Sequence, residues 1–308
     1  MPLHVITGAG ATGSPAALLL ARAGENVRLV SRHGSGPEHP LIEKIAADAT
    51  DASRLTELTR GAATLINTAV PAYDRWPAEF PPLAAALLTA AERTGAGYVM
   101  MGNTYGYGQV SGPFTEDLPM APVSVKGTVR AQMWLDALAS HRAGRVRVTE
   151  VRASAFLGAG AGSLYNFMVP PLVLAGKPAS FPGDLDVPKT WSYTGDAART
   201  LMTVARDERS WGRAWHVPSA AAVSVRDLTA RLTEIAGAPA PDLKQMTPGE
   251  LAATGAGNPI MTEVLEMLYS LENPDLLDSS LTEKTFGLAP TPLNDVLAET
   301  AKAFSPQA

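Results

Sequence analysis

The first thirty residues constrain the fold more than any other stretch of this chain. Residues 3–7 (Leu-His-Val-Ile-Thr) form an apolar strand pattern that stops at a glycine. Gly8, Gly10 and Gly13 then follow as G-x-G-x-x-G, with Ala9, Ala11 and Thr12 between them. Residues 14–23 are rich in Ala and Leu and predict a helix closed by Gly24, and residues 27–30 predict a second strand. Strand, glycine loop, helix and strand in so short a span make the unit from which parallel sheets are built. The first glycine permits the tight turn, the second lets backbone amides approach a pyrophosphate, and the third allows close helix–strand contact. The helix N-terminus adds free N–H groups and a positive dipole end. In this context Gly8, Gly10, Ala11, Thr12 and Gly13 are read as a dinucleotide-binding loop.

The alternation continues. Strands are predicted at 45–48, 64–67, 98–101 and 146–151, and helices at 53–60, 81–94 and 124–142. The expected fold is an α/β doubly wound parallel sheet of the Rossmann type with a smaller C-terminal substrate-binding cap. After Arg152 the texture changes, with frequent Gly and Pro from 158 to 188. Helical patches are expected at 164–175, 196–206, 224–236, 247–274 (with breaks) and 292–304, with Asp196 and Ser224 as N-caps and a strand at 214–217. Residues 1–160 are assigned to the dinucleotide-binding core, with 189–220 returning to it. Residues 161–188 and 221–308 are assigned to the cap.

Composition narrows the function. A formal net charge of -5 gives no reason to expect nucleic-acid binding, and zero cysteines exclude thiol nucleophiles and cysteine metal sites. The five histidines have no metal-ligand spacing, so no metal is expected. No apolar run approaches the roughly 18 residues of a bilayer span, and no signal pattern precedes the first strand, so a cytoplasmic location is expected. Neither a P-loop nor a Gly-x-Ser-x-Gly elbow occurs.

The end of the second strand selects the cofactor. An acidic residue there would bind a ribose 2′-OH, but the chain has Ser31-Arg32-His33-Gly34-Ser35. Arg32 can clamp a 2′-phosphate, with Ser31 and Ser35 as donors, so NADP(H) is expected over NAD(H).

Further segments carry a resemblance. They include Ala47-Asp48-Ala49-Thr50-Asp51, Asn67-Thr68-Ala69, Gly102-Asn103-Thr104-Tyr105-Gly106-Tyr107-Gly108, Arg152-Ala153-Ser154-Ala155-Phe156-Leu157-Gly158, Trp191-Ser192-Tyr193-Thr194-Gly195-Asp196, His216-Val217-Pro218 and Asp278-Ser279-Ser280. With the glycine loop, these resemble the extended short-chain dehydrogenase/reductases, the NAD-dependent epimerase/dehydratase group. The resemblance implies that Asp48 and Ala49 contact the adenine, that Thr68 and Ala69 line the central cofactor channel, and that Ala153 to Phe156 approach the nicotinamide end. The family's Tyr-x-x-x-Lys stands here as Lys126-x-x-x-Arg130. That spacing places both side chains on one helix face. Arg130 is expected to donate to ribose hydroxyls, and Lys126 is a candidate proton donor. Asn103 stands where the family has a Ser or Thr. Tyr105, two residues on, is an alternative acid, on the side of Asn103 if the strand continues. In dehydratase relatives that position resembles the place of an acid/base. Tyr107 is read as structural, and Glu116 and Asp117 as exposed loop residues.

Tyr73, Trp76, Phe156, Tyr165, Asn166, Phe167 and Trp191 are expected to wall a substrate pocket. That wall favours a small, moderately apolar molecule over a nucleotide sugar. The reading is an NADP(H)-dependent oxidoreductase or epimerase-like enzyme. Its abundant Ala, Arg and Gly suit a high-GC bacterium and a role in secondary metabolism. The loss of the Tyr keeps an alternative open: a dinucleotide-binding sensor, or a non-redox isomerase or cyclase. Helices 81–94 and 124–142 are the expected homodimer face.

Overall fold

The computed structural model describes residues 1–220 and 222–304. The first half runs β1 (Leu3–Thr7), α1 (Gly13–Arg22), β2 (Asn26–Ser31), β3 (Ile42–Ala46), α2 (Ala52–Thr59), β4 (Thr64–Asn67), α3 (Trp76–Thr94), β5 (Gly97–Asn103), α4 (Val125–Arg142) and β6 (Val148–Ala153). The second half runs β7 (Ala155–Leu157), α5 (Leu164–Met168), α6 (Pro170–Val173), β8 (Ala179–Phe181), β9 (Lys189–Tyr193), α7 (Thr194–Arg206), β10 (Ala214–His216), β11 (Ala222–Val223), α8 (Val225–Ala236), β12 (Leu243–Gln245), α9 (Pro248–Gly255), α10 (Pro259–Glu266), α11 (Leu268–Glu272), α12 (Ser280–Phe286) and α13 (Leu293–Phe304).

Among the described residues, seven strands form one sheet in the order β10-β6-β5-β4-β1-β2-β3. Each pairing in it is parallel. The order reverses between β1 and β4, and a doubly wound sheet opens its ligand crevice at the carboxyl ends of such a pair. Strand alternation sorts the core into two layers. Val5, Leu65, Tyr98 and Val148 pack against α2, α3 and α4. Ile6, Ile66, Val99 and Val151 pack against α1 and α7. A third cluster, including Tyr165, Trp191, Leu228 and Leu297, is the core of the cap. The cap also carries two small sheets, β11-β9-β7 and β12-β8. Among the described residues, no helix is long and apolar enough to cross a membrane.

Several boundaries differ from the sequence expectation. The third strand is Ile42–Ala46 rather than 45–48. Helix α3 begins at Trp76, before Pro81 and Pro82. Those prolines read as a helix start, but Trp76, Phe80, Leu83 and Leu87 continue a buried stripe through them, and its burial outweighs two missing N–H donors. Ser224 caps α8 as expected, accepting from Asp227 N. Asp196 is not an N-cap: Tyr193 holds that place in α7. The Asp196 carboxylate is buried and accepts from Thr291 N (2.8 Å) and Thr291 Oγ1 (2.7 Å). Helix α12 lies inside the stretch assigned to the cap, yet it packs on the sheet: Phe286 meets Trp215 of β10 edge to face at 4.6 Å.

Candidate functional site

The glycine loop lies over the β1–β4 switch. Gly8 has φ +94°, and a Cβ there would stand 2.6 Å from Ala69 N. A Cβ on Gly13 would stand 2.0 Å from Gly8 O and 2.3 Å from Thr68 Oγ1. Gly10 alone of the three faces open space, with nothing within 4 Å of its would-be Cβ. The loop is thus packed on its inner side and accessible on its outer side, as a backbone cradle for a pyrophosphate requires.

Thr68 and Ala69 brace this cradle from below. The Thr68 hydroxyl is shared between Thr7 O and Gly8 O, each at 2.9 Å. Asn67 Oδ1 accepts from Thr7 Oγ1 (2.8 Å) and Ala69 N (3.1 Å). The sequence pattern alone gives Asn67 no role; its position on the last residue of a central strand beside the glycine turn is the signal that marks it.

At the ribose end, Ser35 N donates to Ser31 Oγ at 2.9 Å and closes the turn after β2. Arg32 is exposed on that turn. Asp48 Oδ1 accepts from Thr50 N (2.9 Å) and Thr50 Oγ1 (2.8 Å). Those bonds, aided by the nearby Arg32, hold the Asp48 carboxyl below the usual range. Ala49 follows it at the rim, packed against the core below.

The catalytic candidates converge, although not as the sequence suggests. Strand β5 ends at Asn103, whose Oδ1 accepts from Tyr105 N at 3.2 Å and turns the chain into the 3-10 helix Tyr105–Tyr107. Strand alternation therefore does not set the Tyr105 side chain; the turn does. Ala153 is the parallel partner of Asn103 across β5–β6 and is fully buried. Lys126 is fully buried in the first turn of α4, which Ser124 caps. Its ammonium ion-pairs with Glu263 and, at 3.1 Å, with Glu266, both on α10. The Lys126 backbone N–H donates to Glu266 Oε1 at 3.0 Å, and the ammonium lies 4.7 Å from the centre of the Tyr73 ring. Two carboxylates and a ring face thus surround the ammonium, and it offers no free donor to a substrate.

Arg130, one turn later, does not reach outward as expected. Its guanidinium lies over Trp76 (4.7 Å) and Phe80 (4.3 Å), and Nη1 donates to Met101 O at 3.2 Å. Burial pushes its pKa down to about 10. The residues at 126 and 130 therefore fasten elements together rather than present paired donors.

Tyr105 keeps access to a cleft. A cavity of about 30 Å³ is lined by Thr104, Tyr105, Gly108, Phe114, Tyr269 and Asp275, among others. Burial raises the Tyr105 phenol, and the neighbouring Tyr73 hydroxyl partly offsets this. Tyr73 is itself raised by burial, with Tyr105 and both α10 glutamates adding to the shift.

Most of the expected aromatic wall belongs to the core instead. Tyr165 is 1% exposed, packs on Trp191 at 5.1 Å, and places its hydroxyl 3.3 Å from Thr229 Oγ1. Trp191 Nε1 donates to Val223 O at 3.0 Å, and Asn166 Nδ2 to Gly158 O at 2.8 Å. Phe156 packs against the sheet core, Trp76 sits beneath Tyr73, and Phe167 is exposed. Of that set, Tyr73 lies beside Lys126 and Tyr105, and the buried Trp76 ring lies 6.0 Å from the Tyr105 ring.

Tyr107 is structural, within a buried network. Arg152 Nη1 donates to the Tyr107 oxygen at 2.6 Å, and Arg152 Nε to Glu150 at 2.6 Å. His216 Nδ1 lies 2.7 Å from the Asp278 carbonyl, so it donates there. Its Nε2 then accepts from the Tyr107 hydroxyl at 2.7 Å. Glu116 is not an exposed loop residue. Its side chain is 5% exposed and accepts from His216 N (3.3 Å) and Thr282 Oγ1 (3.2 Å). Asp117 is exposed.

Fold, switch-point crevice and glycine cradle together define a dinucleotide-binding α/β protein, and comparison makes the class specific. The chain belongs to the NAD dependent epimerase/dehydratase family, whose model matches residues 4–217. Its fold is shared with MoeE5 solved with UDP-glucuronic acid and NAD (20% identity, 97% of this chain and 98% of that one, TM-score 0.79). A UDP-glucuronic acid 4-epimerase from Bacillus cereus solved with NAD is similar (18%, 98% and 96%, TM-score 0.78). So is a dTDP-glucose 4,6-dehydratase from Bacillus anthracis solved with NAD (16%, 99% and 96%, TM-score 0.80). Among curated proteins, none matches significantly.

Proposed function

We propose that this chain binds a nicotinamide dinucleotide and interconverts an alcohol and a carbonyl on a small molecule, with Tyr105 as the acid. One observation carries the reading: of the candidate donors at the end of β5 and the start of α4, Tyr105 lines the cleft while Lys126 is sequestered by Glu263 and Glu266. Gly8, Gly10, Ala11, Thr12 and Gly13 would hold the pyrophosphate, with Asp48 and Ala49 at the adenine end. The bound dinucleotide supplies or accepts a hydride. Tyr105, kept protonated by burial, donates its proton to the substrate oxygen as the carbonyl is reduced. Tyr73 and Tyr105 favour a neutral, moderately apolar substrate over a charged one.

For the cofactor, Arg32 supports NADP(H): it is exposed beside Ser31 and Ser35, and no acidic residue ends β2. The solved relatives hold NAD, which makes the alternative concrete. Fluorescence titration with NADPH and NADH tests both. Arg32→Ala is expected to weaken NADPH about tenfold or more, as the loss of a charge-assisted pair does, and to leave NADH unchanged. Equal effects on both cofactors would refute the assignment. A carbonyl panel then tests the chemistry: Tyr105→Phe should lower turnover about a hundredfold while still binding NADPH. The closed Lys126 triad favours a second reading, dinucleotide binding without redox chemistry. Absence of NADPH oxidation across the panel would select it.

A further inference from the structure

Burial keeps the Tyr105 phenol protonated, so Tyr105 alone cannot retain the charge left when it gives up a proton. The cleft wall shared with Tyr105 carries a carboxyl group that has no role so far. Residues 273–278 form a strap between α11 and α12, and its backbone is pinned on both sides. Asp275 N donates to Pro188 O (3.1 Å), Thr190 N to Asp275 O (2.7 Å), and Phe114 N to Leu276 O (2.7 Å). Asp275 Oδ2 accepts from Ser154 Oγ at 2.8 Å. Ser154 directly follows Ala153, the partner of Asn103 at the end of β6. The other oxygen, Oδ1, is buried and has no hydrogen-bond partner. A half-satisfied buried carboxylate is costly, and it persists where a proton or a ligand completes it.

The surroundings are consistent. Tyr105, from the turn after β5, and Tyr269, from α11, line the same cleft as Asp275, while Ser154 bonds it from the end of β6 and the Lys189 charge acts on it from β9. The Lys189 ammonium is held by Ser270 O (2.8 Å) and Asn273 O (3.0 Å), so it steadies Asp275 without pairing to it. Burial pushes the carboxyl up to about 6, against the pull of Ser154 and Lys189, which suits a group that must both take and return a proton.

We infer that Asp275 is the proton partner of Tyr105 in this cleft, held in place by Ser154; the inference rests on the reading of Tyr105 given above. When a substrate alcohol is oxidised, its C–H and O–H bonds break and a C=O bond forms. An oxidised dinucleotide held by the glycine loop would take up the C–H electron pair as hydride. The O–H proton passes to the Tyr105 oxygen as the Tyr105 proton is relayed across the shared cleft to Asp275 Oδ1, leaving Tyr105 neutral. Reduction runs the same steps in reverse. Oxidation therefore needs the carboxylate and weakens below pH about 6, while reduction needs the acid and weakens above it.

The test is Asp275→Asn, which keeps the volume and can still accept from Ser154. In the infrared, the parent should show a protonated-carboxyl band that titrates near pH 6 and is missing in Asp275→Asn. On whichever carbonyl of the panel is turned over, this variant should lose at least about tenfold in kcat together with the pH limb, with KM and NADPH binding unchanged. Ser154→Ala, which removes a donor that favours the carboxylate, should move band and limb to higher pH. An unaltered rate and limb in Asp275→Asn, or no band lost with it, overturns the assignment. If the parent turns over nothing on the panel, the reading of Tyr105 fails, and the infrared arm still decides whether Asp275 holds the proton.

Discussion

Gly13→Ala and Gly10→Ala should separate the two sides of the glycine cradle. The added Cβ at position 13 falls 2.0 Å from Gly8 O and 2.3 Å from Thr68 Oγ1. It is about 1.4 Å short of an ordinary contact with the carbonyl, and that carbonyl is backbone pinned by the same Thr68 hydroxyl. Relief requires lifting the loop off β4 and losing the Thr68 bonds. Overpacking typically costs 1–3 kcal/mol, and a doubly obstructed methyl belongs at the top of that range, about 3 kcal/mol. For a chain of this size that is a fall of about 5 °C in Tm. Position 10 has no atom within 4 Å of its Cβ and lies outside the left-handed region. Gly10→Ala should therefore melt with the parent or slightly above it. Its methyl stands on the open face, so NADPH affinity should fall about tenfold or more. Scanning fluorimetry with and without NADPH reads both quantities. Equal melting temperatures for the two variants, or parental affinity in Gly10→Ala, would refute this account of the loop.

Two further outcomes test the surrounding machinery. Burial holds His216 down to about 4, against 6.5 when unfolded, so between those values the unfolded chain binds a proton that the folded chain refuses. Stability should fall as pH drops through that window, by up to about 3 kcal/mol near pH 4. Urea unfolding from pH 7 to 4.5 would show this, and His216→Gln should flatten the slope by about one proton. The Glu263→Gln/Glu266→Gln double variant should loosen α9–α11, because Lys126 then holds two neutral amides. Hydrogen exchange over residues 248–272 is expected to quicken about tenfold, the effect of losing about 1.4 kcal/mol; unchanged exchange would mean that the ion pairs do not hold the cap.

The sheet was legible because its signals are local and repeated. Apolar strands 64–67 and 98–101 end at a crevice whose glycines lie in one short run, and Ser224 announces α8 through a cap that needs three neighbouring residues. The cap was less legible for the opposite reason. Strands such as β7, β8, β11 and β12 have only two or three residues, too few for alternation to show. Tyr165 and Trp191 look alike as core or as pocket wall, since either use favours an aromatic. Glu263 and Glu266 lie 137 and 140 residues from Lys126, so no spacing rule links them to it. Glu116 read as exposed because nothing nearby in sequence foretells the His216 amide and Thr282 hydroxyl that receive it.

Helix α12 also bears on how this molecule could be divided. The family model stops at residue 217, yet the aromatic face of Trp215 is covered by Phe286, and the carbonyl that fixes the His216 tautomer belongs to Asp278. The chain leaves the Rossmann layer, builds the cap, and comes back to seal the layer's last strand. A fragment ending near 217 would expose a tryptophan and leave a buried imidazole without its acceptor. Grafting a relative's cap onto this core would therefore have to keep residues 275–286 native and rejoin the chain on both sides of them, because α13 goes back to the cap core beyond α12.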